Sequence, residues 1–176
     1  VLPGLHLKYD FDKTTILRAA WTNTLARPNY FYLVPFRQIS EADNEIIIGN
    51  PELIPTTSMN FDLMFEKYFR TIGIVSAGVF YKDMEDFITF ETREDYEFEG
   101  RTWDTWEKPL NAGNAEIFGL EFAAQRQLDF LPGFLKGIGL YANYTYTTST
   151  VSDFRIEGRE DDDISLPGSA KHTLNA

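Results

Sequence analysis

Between Pro55 and Gly73 the chain runs without a glycine or proline, and along that run its character changes at every step. Phe61, Leu63, Phe65 and Phe69 share one parity; Asn60, Asp62, Met64, Glu66 and Tyr68 share the other. Successive side chains of an extended chain point to opposite faces, so this is a strand with one greasy side and one polar side. Soluble strands average about 5–6 residues, whereas a strand that crosses a bilayer at a steep tilt needs about 9–11. The run is long enough for the second. Pro51 and Pro55 cannot donate to a ladder, so they belong outside the sheet and mark where the strand is launched.

The same texture recurs along the chain, and helical periodicity is almost absent. Extended segments are expected at 4–10, 14–26, 57–69, 73–90, 114–128, 137–150 and 168–176. Their connections alternate. "DFDK", "RTIG" and "DFLPGFLKG" are short and carry turn residues. The stretches from Arg27 to Pro55, from Glu91 to Gly113 and from Val151 to Gly168 are long and polar. Antiparallel neighbours in chain order then gather all tight turns at one end and all long loops at the other. Compact soluble domains have connections of about 4–6 residues and rarely repeat structureless loops of about twenty. Transmembrane β-barrels have this asymmetry by rule, with short periplasmic turns and long extracellular loops. The expected fold is therefore all-β: an antiparallel up-and-down transmembrane β-barrel, here a partial barrel of about seven long strands.

The faces agree. Phe118, Leu120, Phe122 and Ala124 oppose Gly119, Glu121, Ala123, Gln125 and Gln127; Ile138, Leu140, Ala142, Tyr144 and Tyr146 oppose Gly139, Tyr141, Asn143, Thr145 and Thr147. Lys67 and Arg126 interrupt the greasy faces, and both lie beside a short turn. A lipid-facing cation costs about 2–4 kcal/mol at the midplane but only ~0–1 near the interface, where its stem can snorkel. Aromatic girdles are expected at the strand ends, with Phe69 near a turn and Tyr81, Phe118, Tyr144 and Tyr146 near the loops.

Charge narrows the partners. The 176 residues carry a net charge of −11, which disfavours nucleic acid, because phosphate binding needs a basic surface. With no cysteine, disulfides and cysteine-based metal or nucleophile sites are excluded. No stretch approaches the ~20 apolar residues of a spanning helix. Both ends fall in mid-pattern, so the chain is expected to be part of something longer.

Catalytic chemistry has little to stand on. His6 and His172 lie far apart, without a ligand pattern. "GIGLYA" resembles a dinucleotide fingerprint in letters only, since a strand follows where a helix is required. "NYT" (Asn143 to Thr145) falls in mid-strand, the wrong context for glycosylation. No nucleophile elbow, phosphate loop or zinc spacing occurs, so neither an enzyme nor a cofactor nor a resident metal is expected. Two acidic runs, "EDYEFEGRTWD" and "EGREDDDIS", lack the spacing of a calcium loop and read as solvated loops. Within the first, Tyr96, Trp103 and Trp106 are the ligand-binding candidates. Large rings on an exposed loop offer stacking area to a sugar or an aromatic chelator. The alternative is that they pack among themselves or serve the girdle.

Several segments together resemble the β-barrel of TonB-dependent outer-membrane receptors, in the C-terminal part of that barrel. They are "GNPELIPTTSMNFDLMFEKYF", "GVFYKDMEDFI", "NAGNAEIFGLEFAAQ", "GLYANYTYTTS", "LPGSAKHTLNA" and "LARP" at the end of an ascending strand. The resemblance implies a receptor in the bacterial outer membrane for energised uptake of a scarce nutrient: a siderophore, a vitamin or an oligosaccharide. Its implied partners are outer-membrane lipid, the small nutrient at the external loops, and the TonB complex acting through a plug domain, with a surface lipoprotein as a further candidate. Residues 1–176 would be part of one barrel domain, with the plug, the remaining strands and the family's terminal strand outside this chain. Two other readings compete: a plug-less barrel acting as pore, adhesin or assembly component, and a soluble all-β binding module. The soluble module demands apolar residues pointing inward and polar ones outward, the reverse of a membrane barrel.

Overall fold

The computed structural model describes residues 2–69, 73–156, 158, 159, 164–166 and 168–176. Seven strands form the wall: β1 (Gly4–Asp12), β2 (Thr15–Ala26), β5 (Thr56–Tyr68), β6 (Gly73–Phe98), β7 (Arg101–Gln127), β8 (Gly139–Ser152) and β9 (His172–Asn175). They pair antiparallel in that order. A small hairpin, β3 (Arg37–Ser40) with β4 (Glu45–Ile48), lies in the β2–β5 connection, preceded by one helical turn, α1 (Tyr30–Leu33). The expected strands are all present, with ends moved by a few residues at most, except at the β6–β7 junction and in β9, which pairs only over its last residues.

Register assigns the faces. Leu7, Ala19, Leu63, Val79, Leu120 and Tyr146 stand side by side across the wall. One row toward the long loops come Leu5, Trp21, Phe61, Tyr81 and Phe118, a run of aromatics across four neighbouring strands. Beyond them the same face turns polar, with Asn23, Asp83, Glu116 and Thr150 in one row and Met59 its single apolar member. The change in polarity marks one edge of a greasy band. At the other edge lie Phe69, Phe130 and Arg126. From Met59 to Phe69 the strand climbs roughly 33 Å at about 3.3 Å per residue. A tilt of about 45° reduces this to roughly 23 Å, close to the ~25 Å apolar band of an outer-membrane barrel.

The opposite face is polar. Lys8, Arg18, Met64, Gly78, Glu121 and Thr145 share one of its rows. Arg18 pairs with Glu66 at 3.0 Å and Lys8 with Asp10 at 2.9 Å. Leu120, Phe122 and Leu140 are 46%, 47% and 57% exposed, so no dry centre forms behind them. That is the arrangement of a wall with hydrocarbon on one side, and it opposes the soluble module. No described helix is long and apolar enough to cross a membrane. Tyr144 and Tyr146 do share the greasy face, but they pair with Phe122 and Leu120 in mid-band rather than near the loops. β8 runs on to Ser152 before the long loop begins, which leaves both tyrosines well below that end.

The clearest departure from the sequence reading is the stretch from Glu91 to Gly113. It is not an irregular loop. β6 and β7 continue through it as a paired hairpin closed by Glu99 and Gly100, both left-handed (φ 53° and 76°). Two positive φ angles make the turn whose twist suits a tight hairpin. Where the hairpin leaves the wall, the register shifts at Met84, Phe87 and Ile88. Asp86 is left-handed there (φ 55°), and Gly113 has φ 146°. A β-carbon on Gly113 would lie 2.6 Å from the Asp153 carbonyl oxygen, so only glycine fits. β8 stops pairing with β7 at Asn114, which leaves the upper half of β7 with a bare edge. β4 covers it in parallel, Glu45–Ile47 beside Thr105–Glu107.

Candidate functional site

Among the described residues, the buried hydrophobic side chains lie at the long-loop end, in two clusters plus Leu53. The first roofs the polar face of the wall: Phe87, Ala112, Ala115, Val151, Phe154 and Ile156, with Ile164 and Leu166 folded back across it. Phe87 and Phe154 stack at 6.5 Å. Ser149 Oγ accepts the Leu166 amide at 3.0 Å, which holds that returning segment in place.

The second cluster is the inside of the projecting hairpin. Ile46 of β4 seals Trp103 and Trp106, which are only 5% and 8% exposed. Tyr96 is half-buried and stacks on Trp106 at 5.5 Å. Arginines cover the outer ring faces: Arg93 lies 5.1 Å from the Trp106 ring, Arg101 4.2 Å from Trp103 and Arg37 4.1 Å from Phe98. Planar guanidinium groups suit this stacking. The structure thus brings Tyr96, Trp103 and Trp106 into one cluster and turns the two indoles inward. Both indole Nε1 atoms are buried and have no hydrogen-bond partner among the described residues.

A set of polar side chains clasps the base of the hairpin. Asn111 exchanges two hydrogen bonds with the Ile54 backbone: its Oδ1 accepts the amide at 3.0 Å, and its Nδ2 donates to the carbonyl at 2.9 Å. Nδ2 also donates to the Asp86 carbonyl at 2.8 Å, which accepts Thr56 Oγ1 as well at 3.0 Å. Asn50 Nδ2 reaches the Pro109 carbonyl at 3.0 Å. From the third long loop, Arg155 bridges Asp153 and Asp86, 2.7 Å from each, and these carboxylates push its pKa up from the ordinary value. Both other long loops are therefore tied to the point where β6 and β7 leave the wall.

Between the β2–β5 connection and the roof runs an open cleft of about 460 Å³, lined by Arg27, Tyr32, Thr56, Phe87, Phe90 and Leu166 among others. Tyr32 meets Phe90 edge to face at 5.1 Å. Aromatic walls with one cation at the rim suit a flat or apolar solute that carries negative charge. Sequence reasoning did not single out these residues, although the aromatic density of "RPNYFYLVPF" was a signal for them. Among the described residues no group of three or more metal-ligating side chains converges. His172 Nδ1 instead lies 2.8 Å from Tyr144 Oη, its ring stacked on Tyr144 and tilted against Tyr146, and His6 stands in the polar-face row of Ala20 and Asp62.

Comparison with known proteins agrees with this architecture. No curated protein matches the chain. Solved structures do: the siderophore receptor PirA from Pseudomonas aeruginosa aligns over 85% of this chain at 18% identity and a TM-score of 0.66. PirA from Acinetobacter baumannii aligns over 98% at 19% identity and 0.61. A mutant of the ferric enterobactin receptor PfeA from Pseudomonas aeruginosa aligns over 98% at 17% and 0.58. Identities this low establish the fold alone. The chain spans 30%, 25% and 24% of those three proteins, respectively. A family model described as TonB dependent receptor-like, beta-barrel, matches residues 1–176. The chain belongs to the TonB-dependent receptor β-barrel family.

Proposed function

We propose that these residues are one section of the barrel of a bacterial outer-membrane receptor that takes up a scarce nutrient with energy from the inner membrane. The carrying observation is the segregation of faces, greasy outside and polar inside, in a chain whose whole length matches the family. In this reading the long-loop end faces the outside of the cell and the short turns face the periplasm. The plug and the remaining strands lie outside these 176 residues. The TonB complex acts through that plug; outer-membrane lipid covers the greasy face, and a surface lipoprotein is a further partner. Such a barrel transports and does not catalyse.

The nutrient is met at the long-loop end. The similar structures named above are receptors for a siderophore or for ferric enterobactin, and the cleft beside Arg27, Tyr32 and Phe90 suits an aromatic anionic chelator better than a neutral sugar. Tyr96, Trp103 and Trp106 keep a place in this reading: Tyr96 offers a ring at the surface, and the two indoles back it from the hairpin interior. The intact receptor tests the proposal. It should require detergent for extraction, and ligand accumulation should stop when the proton gradient is collapsed. Accumulation that survives uncoupling would favour the plug-less pore. Quenching of indole fluorescence by ferric siderophore in the wild type, reduced in Trp106→Phe, checks the aromatic contact.

A further inference from the structure

Two cations interrupt the greasy face near the short-turn end, and their surroundings differ. Lys67 Nζ donates to Thr14 Oγ1 at 2.9 Å and Thr15 Oγ1 at 2.5 Å and lies 3.5 Å from the Asp12 carboxylate. The β1–β2 turn therefore supplies partners for the three donors of its ammonium group. Arg126 has no equivalent. Register puts it opposite Gly73 and Leu140 on the outer face, one row below Ala124. Its guanidinium lies between two rings, 4.4 Å from the centre of Phe69 and 4.9 Å from Phe130. Its Nε is buried without a hydrogen-bond partner among the described residues, and no ion pair among those residues includes it.

The adjoining turn is built for an interface. Phe130 and Phe134 protrude, 62% and 88% exposed. Lys136 adds a second cation, and its carbonyl accepts Gln127 Nε2 at 2.8 Å, which fixes the turn beside Arg126. Asp129 is the only acid between Leu128 and Ile138 and is engaged in an interaction of its own. A guanidinium held between rings presents its edge, where the N–H donors sit, and that edge matches two oxygens of a phosphate. Basic sites at a membrane boundary recognise anionic headgroups in this way.

We propose that Arg126 and Lys136 hold the phosphate of an anionic glycerophospholipid in the leaflet at the short-turn end. Phe130 and Phe134 anchor the turn among the headgroups, and an acyl chain lies over Leu140 and Phe122. Lys67, already satisfied by its own turn, takes no part. This inference rests on the membrane reading above.

The test uses the intact receptor, purified in detergent and titrated with phosphatidylglycerol or phosphatidylcholine, with retained lipid counted by native mass spectrometry. The wild type should keep one phosphatidylglycerol that phosphatidylcholine does not displace. Arg126→Gln should weaken that retention by roughly tenfold or more, as expected for loss of charged hydrogen bonds. Arg126→Lys should recover it only in part, and Lys67→Gln should leave it unchanged. Equal retention in Arg126→Gln, or equal loss in Lys67→Gln, overturns the site. Should Arg126→Gln fail to reach the heat-resistant folded form, Phe130→Ala and Arg126→Lys carry the same comparison. A receptor that floats with vesicles yet shows no Arg126 dependence refutes this inference alone; one that does not associate with vesicles at all refutes the membrane reading as well.

Discussion

The two halves of this molecule follow one alternating pattern in two different solvents. Toward the short turns, β1, β2, β5 and the lower parts of β6, β7 and β8 contain no buried hydrophobic side chain; Leu63, Phe65, Leu120 and Phe122 look outward. Toward the long loops, Phe87, Phe154, Ile46, Trp103 and Trp106 are packed away as in a water-soluble domain. The lower half takes its apolar surroundings from the bilayer, and the upper half has to make its own. The lesson is that alternation locates a strand, while the identity of the medium on each side decides what the alternation means.

Mutations in the intact receptor can break that contrast. The largest effect is expected from Trp106→Ala, which empties the hairpin interior at a cost of about 3–5 kcal/mol. Amide exchange and proteolysis between Arg93 and Trp106 should rise sharply, while the barrel keeps its heat-modifiable gel mobility; loss of that mobility would mean the halves are not separable. Next comes Leu120→Arg in the middle of the greasy band, expected to cost about 2–4 kcal/mol in membrane-reconstituted unfolding. The same charge at Thr145, on the polar face opposite Glu121, should cost far less. Equal penalties would show that both faces see the same medium.

Smaller effects sharpen the boundary between the halves. Asn111→Ala strips partners from the Ile54 backbone and from the Asp86 carbonyl, at about 1–3 kcal/mol. Exchange should increase at Ile54 and Asp86 before it does at Trp106, if the clasp is a separate unit. Smallest is Arg155→Ala, whose exposed ion pairs are expected to contribute less than about 1 kcal/mol. Its effect should fade at high salt, whereas that of Asn111→Ala should not.

Much of the wall was legible because lipid on one side and water on the other keep the alternation sharp, as from Phe61 to Phe69. The hairpin was not, for the same reason reversed. Between Glu91 and Lys108 many positions on both faces meet water, so Thr and Glu occupy both parities and the period-two signal fades. The residues that could have shown it were Tyr96, Phe98, Trp103 and Trp106 flanking Glu99–Gly100. They are good strand formers around a turn pair, though glutamate is an unusual first member. Reading them as a binding surface noticed the rings but not the strand that seals them. That strand is β4, and its parallel pairing with β7 joins segments about sixty residues apart, which no local pattern announces. The cleft beside Arg27 was missed on similar grounds, since its walls come from four separate stretches of chain.

The location of the two clusters has a consequence for biogenesis. In the proposed orientation, every hydrophobic side chain that the described residues bury lies on the far side of the membrane from where the chain is delivered. Phe87, Trp103, Trp106 and Phe154 have to be carried through as open polypeptide and find one another only after arrival. The acidic composition of the same segments then serves the journey, keeping emerging loops mutually repelled and in solution until β4 and the returning segment at Ile164–Leu166 close over their rings.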